Sequence, residues 1–177
     1  MTVRATVTAD SDGWRLRKAG ERDLEILMTW FENRDDVVIW GGPKFRYPFT
    51  AQSFREDCHW PEMASYSLRN PARQFCAFGQ FYNRNERINL ARLVVHPQQR
   101  RRGIGRHLVA SLMKVGRRSL PLNEFSLFVY RDNLPALECY RSLGFEITDY
   151  PPDEILAERC YYLTRLVADV DDAALTR

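Results

Sequence analysis

Along residues 93–115 the spacing of apolar side chains changes period. Leu93, Val94 and Val95 form an unbroken, largely β-branched run closed by Pro97, which predicts a buried strand. Ile104, Leu108, Leu112 and Val115 then recur at intervals that place them on one helical face. Upstream, Trp14 to Lys18 alternates apolar and charged positions and predicts a strand. Glu21 to Asn33 reads as a helix with Leu24, Leu27, Met28 and Phe31 on one face and acidic residues near its start. Residues 37–50 are irregular, broken by glycines and prolines yet rich in aromatics, so this loop should pack on something or cover a site. Thr50 caps a second helix, Ala51 to His59. Ser65 to Leu68 is a short strand, and Gln74 to Tyr82 and Arg87 to Val95 form a hairpin. After the long helix, which ends near Arg118, Phe125 to Tyr130 is a strand. Asp132 or Asn133 can cap the next helix, with Pro135 in its first turn and Gly144 at its end. Phe145 to Thr148 and Arg159 to Val167 complete the set, with a loop forced by Pro151 and Pro152 between them.

The order strand, proline, basic loop, glycines, helix start carries candidate chemistry. The first turn of a helix leaves its N–H groups without partners, at the positive end of the helix dipole. Gly103 and Gly105 remove side chains there, so an anion can approach the backbone. Arg100, Arg101, Arg102 and Arg106 add guanidinium forks suited to phosphate oxygens. The pattern predicts a pyrophosphate cradle, and its plain alternative is a solvated basic turn. It is not a P-loop, because Arg106 and His107 stand where lysine and a hydroxyl would be needed, and Leu108 breaks a dinucleotide fingerprint.

Composition narrows the class further. The chain has 177 residues, about one domain, and a net charge of +3, too small to imply a nucleic-acid protein. The arginines cluster at one loop, which suits a small polyanion better than a duplex. Cys58, Cys76, Cys139 and Cys160 form no Cys-x-x-Cys pair and the histidines are scattered, so no metal site is expected. The thiols read as reduced and buried, the N-terminus lacks an apolar core, and no apolar run spans a bilayer; a cytoplasmic protein away from membranes is expected.

Arg100-Arg101-Arg102-Gly103-Ile104-Gly105 matches the Arg/Gln-x-x-Gly-x-Gly/Ala signature of the GNAT superfamily of acyl-CoA-dependent N-acetyltransferases. Asn133-x-x-Ala136-x-x-x-Tyr140-x-x-x-Gly144-Phe145 resembles that family's other signature, in the right order and at a fitting distance. The motifs cover residues 86–150, and the element order extends the resemblance to about 14–167. It implies an α/β (α+β) fold, a mixed and mostly antiparallel sheet of about seven strands flanked by about four helices, in a single domain over residues 13–167. Residues 1–12 would be a flexible arm and 168–177 a frayed tail.

The resemblance also implies roles. Amides from about Arg101 to Arg106, Ile104 among them, would hold the pyrophosphate of acetyl-CoA, and the strand edge at Leu93, Val94 and Val95 would pair with the pantetheine arm. Asn133 would hydrogen-bond that arm, and Tyr140 would lie near the sulfur and give the departing thiolate a proton. Trp40, Phe45 and Tyr47 would line the acceptor pocket, or else form a satellite core. Asn89 cannot be a base, and Glu56, Asp57, His59, Glu62, Glu86 and His96 are unranked candidates. The expected reaction is acetyl transfer to a primary amine, on a small molecule or a peptide, by direct attack in a ternary complex. Rival readings are a non-catalytic CoA sensor and an RNA- or ribosome-associated basic module, although no nucleic-acid partner is expected. Folds of this kind are often dimeric, so a homodimer is among the states allowed.

Overall fold

The structure is a computed structural model and describes residues 8–9, 12–151 and 157–169. Its strands are β1 (Thr8–Ala9), β2 (Arg15–Lys18), β3 (Ala64–Arg69), β4 (Phe75–Arg84), β5 (Arg87–Val95), β6 (Glu124–Tyr130), β7 (Glu146–Thr148) and β8 (Cys160–Leu166). The helices are α1 (Glu21–Met28), α2 (Arg34–Gly41), α3 (Ala51–Asp57), α4 (Ile104–Ser119) and α5 (Leu134–Ser142). The sheet order is β1-β2-β3-β4-β5-β6-β8-β7, antiparallel throughout except for β5 and β6. This is the mixed, mostly antiparallel architecture expected from the sequence. The added strand is β1, which pairs Thr8 with Leu16 inside the stretch expected to be an arm. The rest of residues 1–11 and the tail beyond 169 lie outside the described residues. No helix among the described residues is long and apolar enough to cross a membrane.

The first predicted helix, Glu21 to Asn33, stops short at Met28, and a further helix, α2, begins just beyond its expected end. The amide of Trp30 bonds the carbonyl of Leu27, tightening the last turn of α1 at Thr29. Asn33 then starts α2 by accepting the Asp36 N–H on its side chain at 2.9 Å. Part of the expected irregular loop is therefore helical. Thr50 caps α3 with a reciprocal box, its hydroxyl taking the Ser53 N–H and the Ser53 hydroxyl taking its own.

Two apolar clusters form, one on each side of the sheet. Leu108, Leu112, Met113 and Val115 of α4 pack on Phe81, Ile88, Leu90, Phe125 and Leu127. Leu24, Leu27, Phe31, Val37, Trp40, Phe45 and Phe54 gather around Phe75 and Phe78. Gly79 lets α4 settle onto β4, since a Cβ there would come within 2.6 Å of Leu112 and 2.8 Å of Leu93.

Candidate active site

β5 and β6 are parallel neighbours only at Ile88–Phe125 and Asn89–Ser126. Beyond those pairs β5 keeps only its β4 partner, from Ala91 to Val95. The sheet therefore opens into a fork with Leu90–Val95 on one arm and Leu127–Tyr130 on the other. At its crotch the Ser126 hydroxyl donates to Asn89 Oδ1 at 3.2 Å, and both residues are buried. Leu93, Val94 and Val95 stay half-buried on the open arm.

The loop after β5 leads to the start of α4. Pro97–Gln99 form a single 3-10 turn, Arg101 takes φ 64° and Gly103, the N-cap of α4, takes φ 74°. Among the described residues, the amides from Arg100 to Gly105 have no acceptor within the chain; the first engaged amides are those of Arg106 and His107, both on the Gly103 carbonyl. These amides stand at the dipole's positive end, with Arg100, Arg101 and Arg102 exposed around them. Arg106, expected among the phosphate ligands, faces elsewhere. Its guanidinium donates to the carbonyl and hydroxyl of Ser142, at 3.0 and 2.7 Å, tying α4 to the end of α5.

The two glycines do different work. Gly103 is left-handed, where a side chain is strained. Gly105 is not, and a Cβ there would sit 3.7 Å from Val95 and 3.9 Å from Cys139 Sγ, ordinary contacts on the side of α5. Gly105→Ala should therefore keep wild-type ligand affinity, whereas Gly103→Val should weaken it and lower stability; calorimetric titration with CoA and a thermal melt check both.

Asn133 caps α5 by accepting the Ala136 N–H on Oδ1 at 3.4 Å. Tyr140 lies on that helix, buried at 8% exposure with its ring against Phe145. Its hydroxyl has no hydrogen-bond partner among the described residues, yet it is not one of the sealed-off unpaired polar atoms. Burial, and less so Cys139, pushes its pKa above the ordinary tyrosine value.

The aromatic acceptor candidates behave mainly as core. Trp40 and Phe45 are buried against Phe54, and the Trp40 indole N–H donates to the Arg92 carbonyl at 2.7 Å. Tyr47 is half-buried and spends its hydroxyl on the Glu32 carbonyl. Of the three, Trp40 lies on α2, which sets its ring against Phe54 and against Phe78 of β4.

The base candidates disperse. Hydrogen bonds from Arg46 and Gln52 hold the Glu56 carboxyl below its usual value. Burial raises that of Asp57, but the bonds and charge of Arg46 outweigh it and the net shift is downward. His59 and Glu62 are exposed beyond the end of α3. Glu86 sits in the β4–β5 turn, at the far end of β5 from the open arm. His96 Nδ1 accepts the Gln98 N–H. No group of three or more His, Cys, Asp or Glu that could hold a metal occurs among the described residues.

Sequence reasoning passed over the bulge in β5. Arg92 has φ 48°, and the β4 register slips between Phe78 and Gln80. The sign was present in the spacing of apolar residues, Ile88 and Leu90, then Leu93 and Val95: a slip of one position within a period of two.

A forked sheet with an open amide cradle at the mouth of the fork offers an anionic ligand both a charge-complementary seat and a free strand edge. The chain belongs to the acetyltransferase (GNAT) family, whose model matches residues 30–145. It is 28% identical over 141 residues to the uncharacterized N-acetyltransferase YfmK of Bacillus subtilis, covering 79% of this chain and 90% of that one. Among solved structures, a GNAT-family acetyltransferase from Bacillus anthracis shares the fold with a TM-score of 0.71 at 14% identity, covering 93% of this chain and 99% of that one. Spermidine N-acetyltransferase from Vibrio cholerae, solved with CoA and spermine, aligns with a TM-score of 0.70 at 15% identity over 89% of this chain and 97% of that one.

Proposed function

We propose that this acetyltransferase moves an acetyl group from acetyl-CoA to a primary amine in a ternary complex. The observation that carries the reading is the row of amides from Arg100 to Gly105 at the mouth of the fork, none of which has an acceptor among the described residues. They would bind the diphosphate, with Arg100, Arg101 and Arg102 adding charge. The open edge of Leu93–Val95 would pair with the pantetheine arm, and the amide side of Asn133 would meet it from α5. The amine nitrogen attacks the thioester carbonyl carbon, and a backbone N–H near Val94 or Val95 stabilises the oxyanion. The C–S bond then breaks, the ammonium loses its proton to water, and Tyr140 donates its phenolic proton to the departing thiolate and is reprotonated from water.

Direct attack is supported by the state of the thiols. Burial raises the pKa of Cys58 to about 12 and pushes up Cys76 and Cys139 as well, the reverse of what an acyl-accepting cysteine needs. The V. cholerae enzyme's association with spermine supports an amine acceptor here. The test is titration with CoA followed by thiol release from acetyl-CoA across a panel of amines. Saturable CoA binding and amine-dependent release are expected. No affinity for CoA would end the reading, and binding with no turnover across the panel would leave a sensor in its place. RNA affinity that survives excess CoA would reassign the arginines.

A further inference from the structure

The strand that would carry the thioester is irregular at one residue. Arg92 adopts a left-handed backbone, a conformation that side chains other than glycine rarely take, so something must hold it. The slip there also decides what faces where: Leu93 packs beside Gly79 under α4, while Val94 turns to the aromatic cluster. A regular strand would exchange those faces.

Arg92 is held from two helices. Its carbonyl accepts the Trp40 indole N–H from α2, as described above. Its guanidinium runs into the interior, donating to the Asp57 carbonyl at 2.9 Å and to Gln80 Oε1 at 2.9 Å, with Met63 Sδ at 3.4 Å. Gln80 completes the group, its Nε2 donating to the Cys58 carbonyl at 2.9 Å and to the Ser65 hydroxyl at 2.7 Å. Asp57 and Cys58 end α3, so the guanidinium meets the carbonyl end of that helix, where the dipole favours a cation.

Resting on the acetyl-transfer reading above, we infer that Arg92 is a positioning residue: by docking the end of α3 on the bulge it aims the open edge of Leu93–Val95 at the reacting carbonyl. Diphosphate binding at residues 100–105 does not require it. The aim of the thioester does, and misplacement by about 1 Å costs on the order of 100-fold in rate. The side chain therefore acts mainly on kcat, with a smaller effect on CoA affinity confined to the pantetheine contact.

The experiment compares wild type, Arg92→Lys, Arg92→Met and Arg92→Ala for CoA dissociation constant, acetyl-CoA KM, kcat and unfolding midpoint. Arg92→Met is expected to lose about 100-fold in kcat with a much smaller change in CoA affinity. Arg92→Lys, which keeps the charge but cannot reach the Asp57 carbonyl and Gln80 together, should fall between. Guanidinium at sub-denaturing concentration should restore part of kcat to Arg92→Ala and none to Arg92→Met, and methylammonium should restore none. Wild-type kcat in Arg92→Lys and in a folded Arg92→Met overturns the inference. So does a parallel loss of CoA binding and kcat without guanidinium rescue, which would mark general structural damage. If wild type neither binds CoA nor releases thiol, the acetyl-transfer reading itself has failed, and that result is distinct from either.

Discussion

Tyr140→Phe is expected to lower kcat by about 10²- to 10⁴-fold, the usual range for removing a positioned proton donor, with CoA affinity unchanged. It should do so without loss of stability. The Tyr140 hydroxyl has no hydrogen-bond partner among the described residues, so deleting it removes an unpaired polar group from a buried ring. Phenylalanine keeps the contact with Phe145. The unfolding midpoint should thus hold or rise while turnover collapses, an outcome that a packing role would not give. The pH profile supplies a second check. A donor must be protonated, and an ordinary tyrosine loses its proton near pH 10. Burial disfavours the phenolate and moves Tyr140 upward, so its acid form persists past that point. With an alkylamine acceptor the wild-type rate should climb with the free-amine fraction and show no descending limb below about pH 10. A bell falling near pH 8 or 9, or an active Tyr140→Phe enzyme, would remove Tyr140 from the chemistry.

What could be read from the sequence was what is decided locally. The cradle needs only a strand end, a left-handed glycine and a helix start within one short stretch, and each leaves its mark in residue type. The same holds for the start of α5, where Asn133 and Pro135 stand next to each other in function and nearly so in sequence. Contacts made across the chain were not readable. Arg106 resembles its arginine neighbours, but its partner Ser142 is 36 positions away. Trp40 is an aromatic in a broken loop until α2 forms and turns its indole to Arg92, 52 positions on. The bulge at Arg92 is an intermediate case: its trace in the apolar spacing was legible, but the contacts that hold it, from α2 and from the end of α3, were not. Asn33, a single polar residue in a polar run, proves to be the cap that starts α2, the helix carrying Trp40 into the core.

Asp23→Ala should be strongly destabilising. In sequence Asp23 is one of two acidic residues in the first turn of a helix, worth a fraction of a kcal/mol against the dipole. In the fold it is 1% exposed. One carboxylate oxygen pairs with Arg69, with Arg17 at 3.5 Å; the other accepts the Ser67 hydroxyl at 3.1 Å and the Gly20 N–H at 3.0 Å. It thus joins the start of α1 to β2 and β3 at the edge of the aromatic cluster. Alanine would strand the Arg69 guanidinium, whose Nε already lacks a partner, in a largely buried place. Removing one member of a buried ion pair costs roughly 3–5 kcal/mol because the other charge is left uncompensated. Asp23→Asn, which can keep the Gly20 and Ser67 bonds but not the charge, should lose less. Arg17→Ala should lose under about 1 kcal/mol, since that side chain is largely solvated. Urea unfolding of the three variants measures the series, and near-equal losses for Asp23→Ala and Arg17→Ala would show that the buried carboxylate is not what anchors α1.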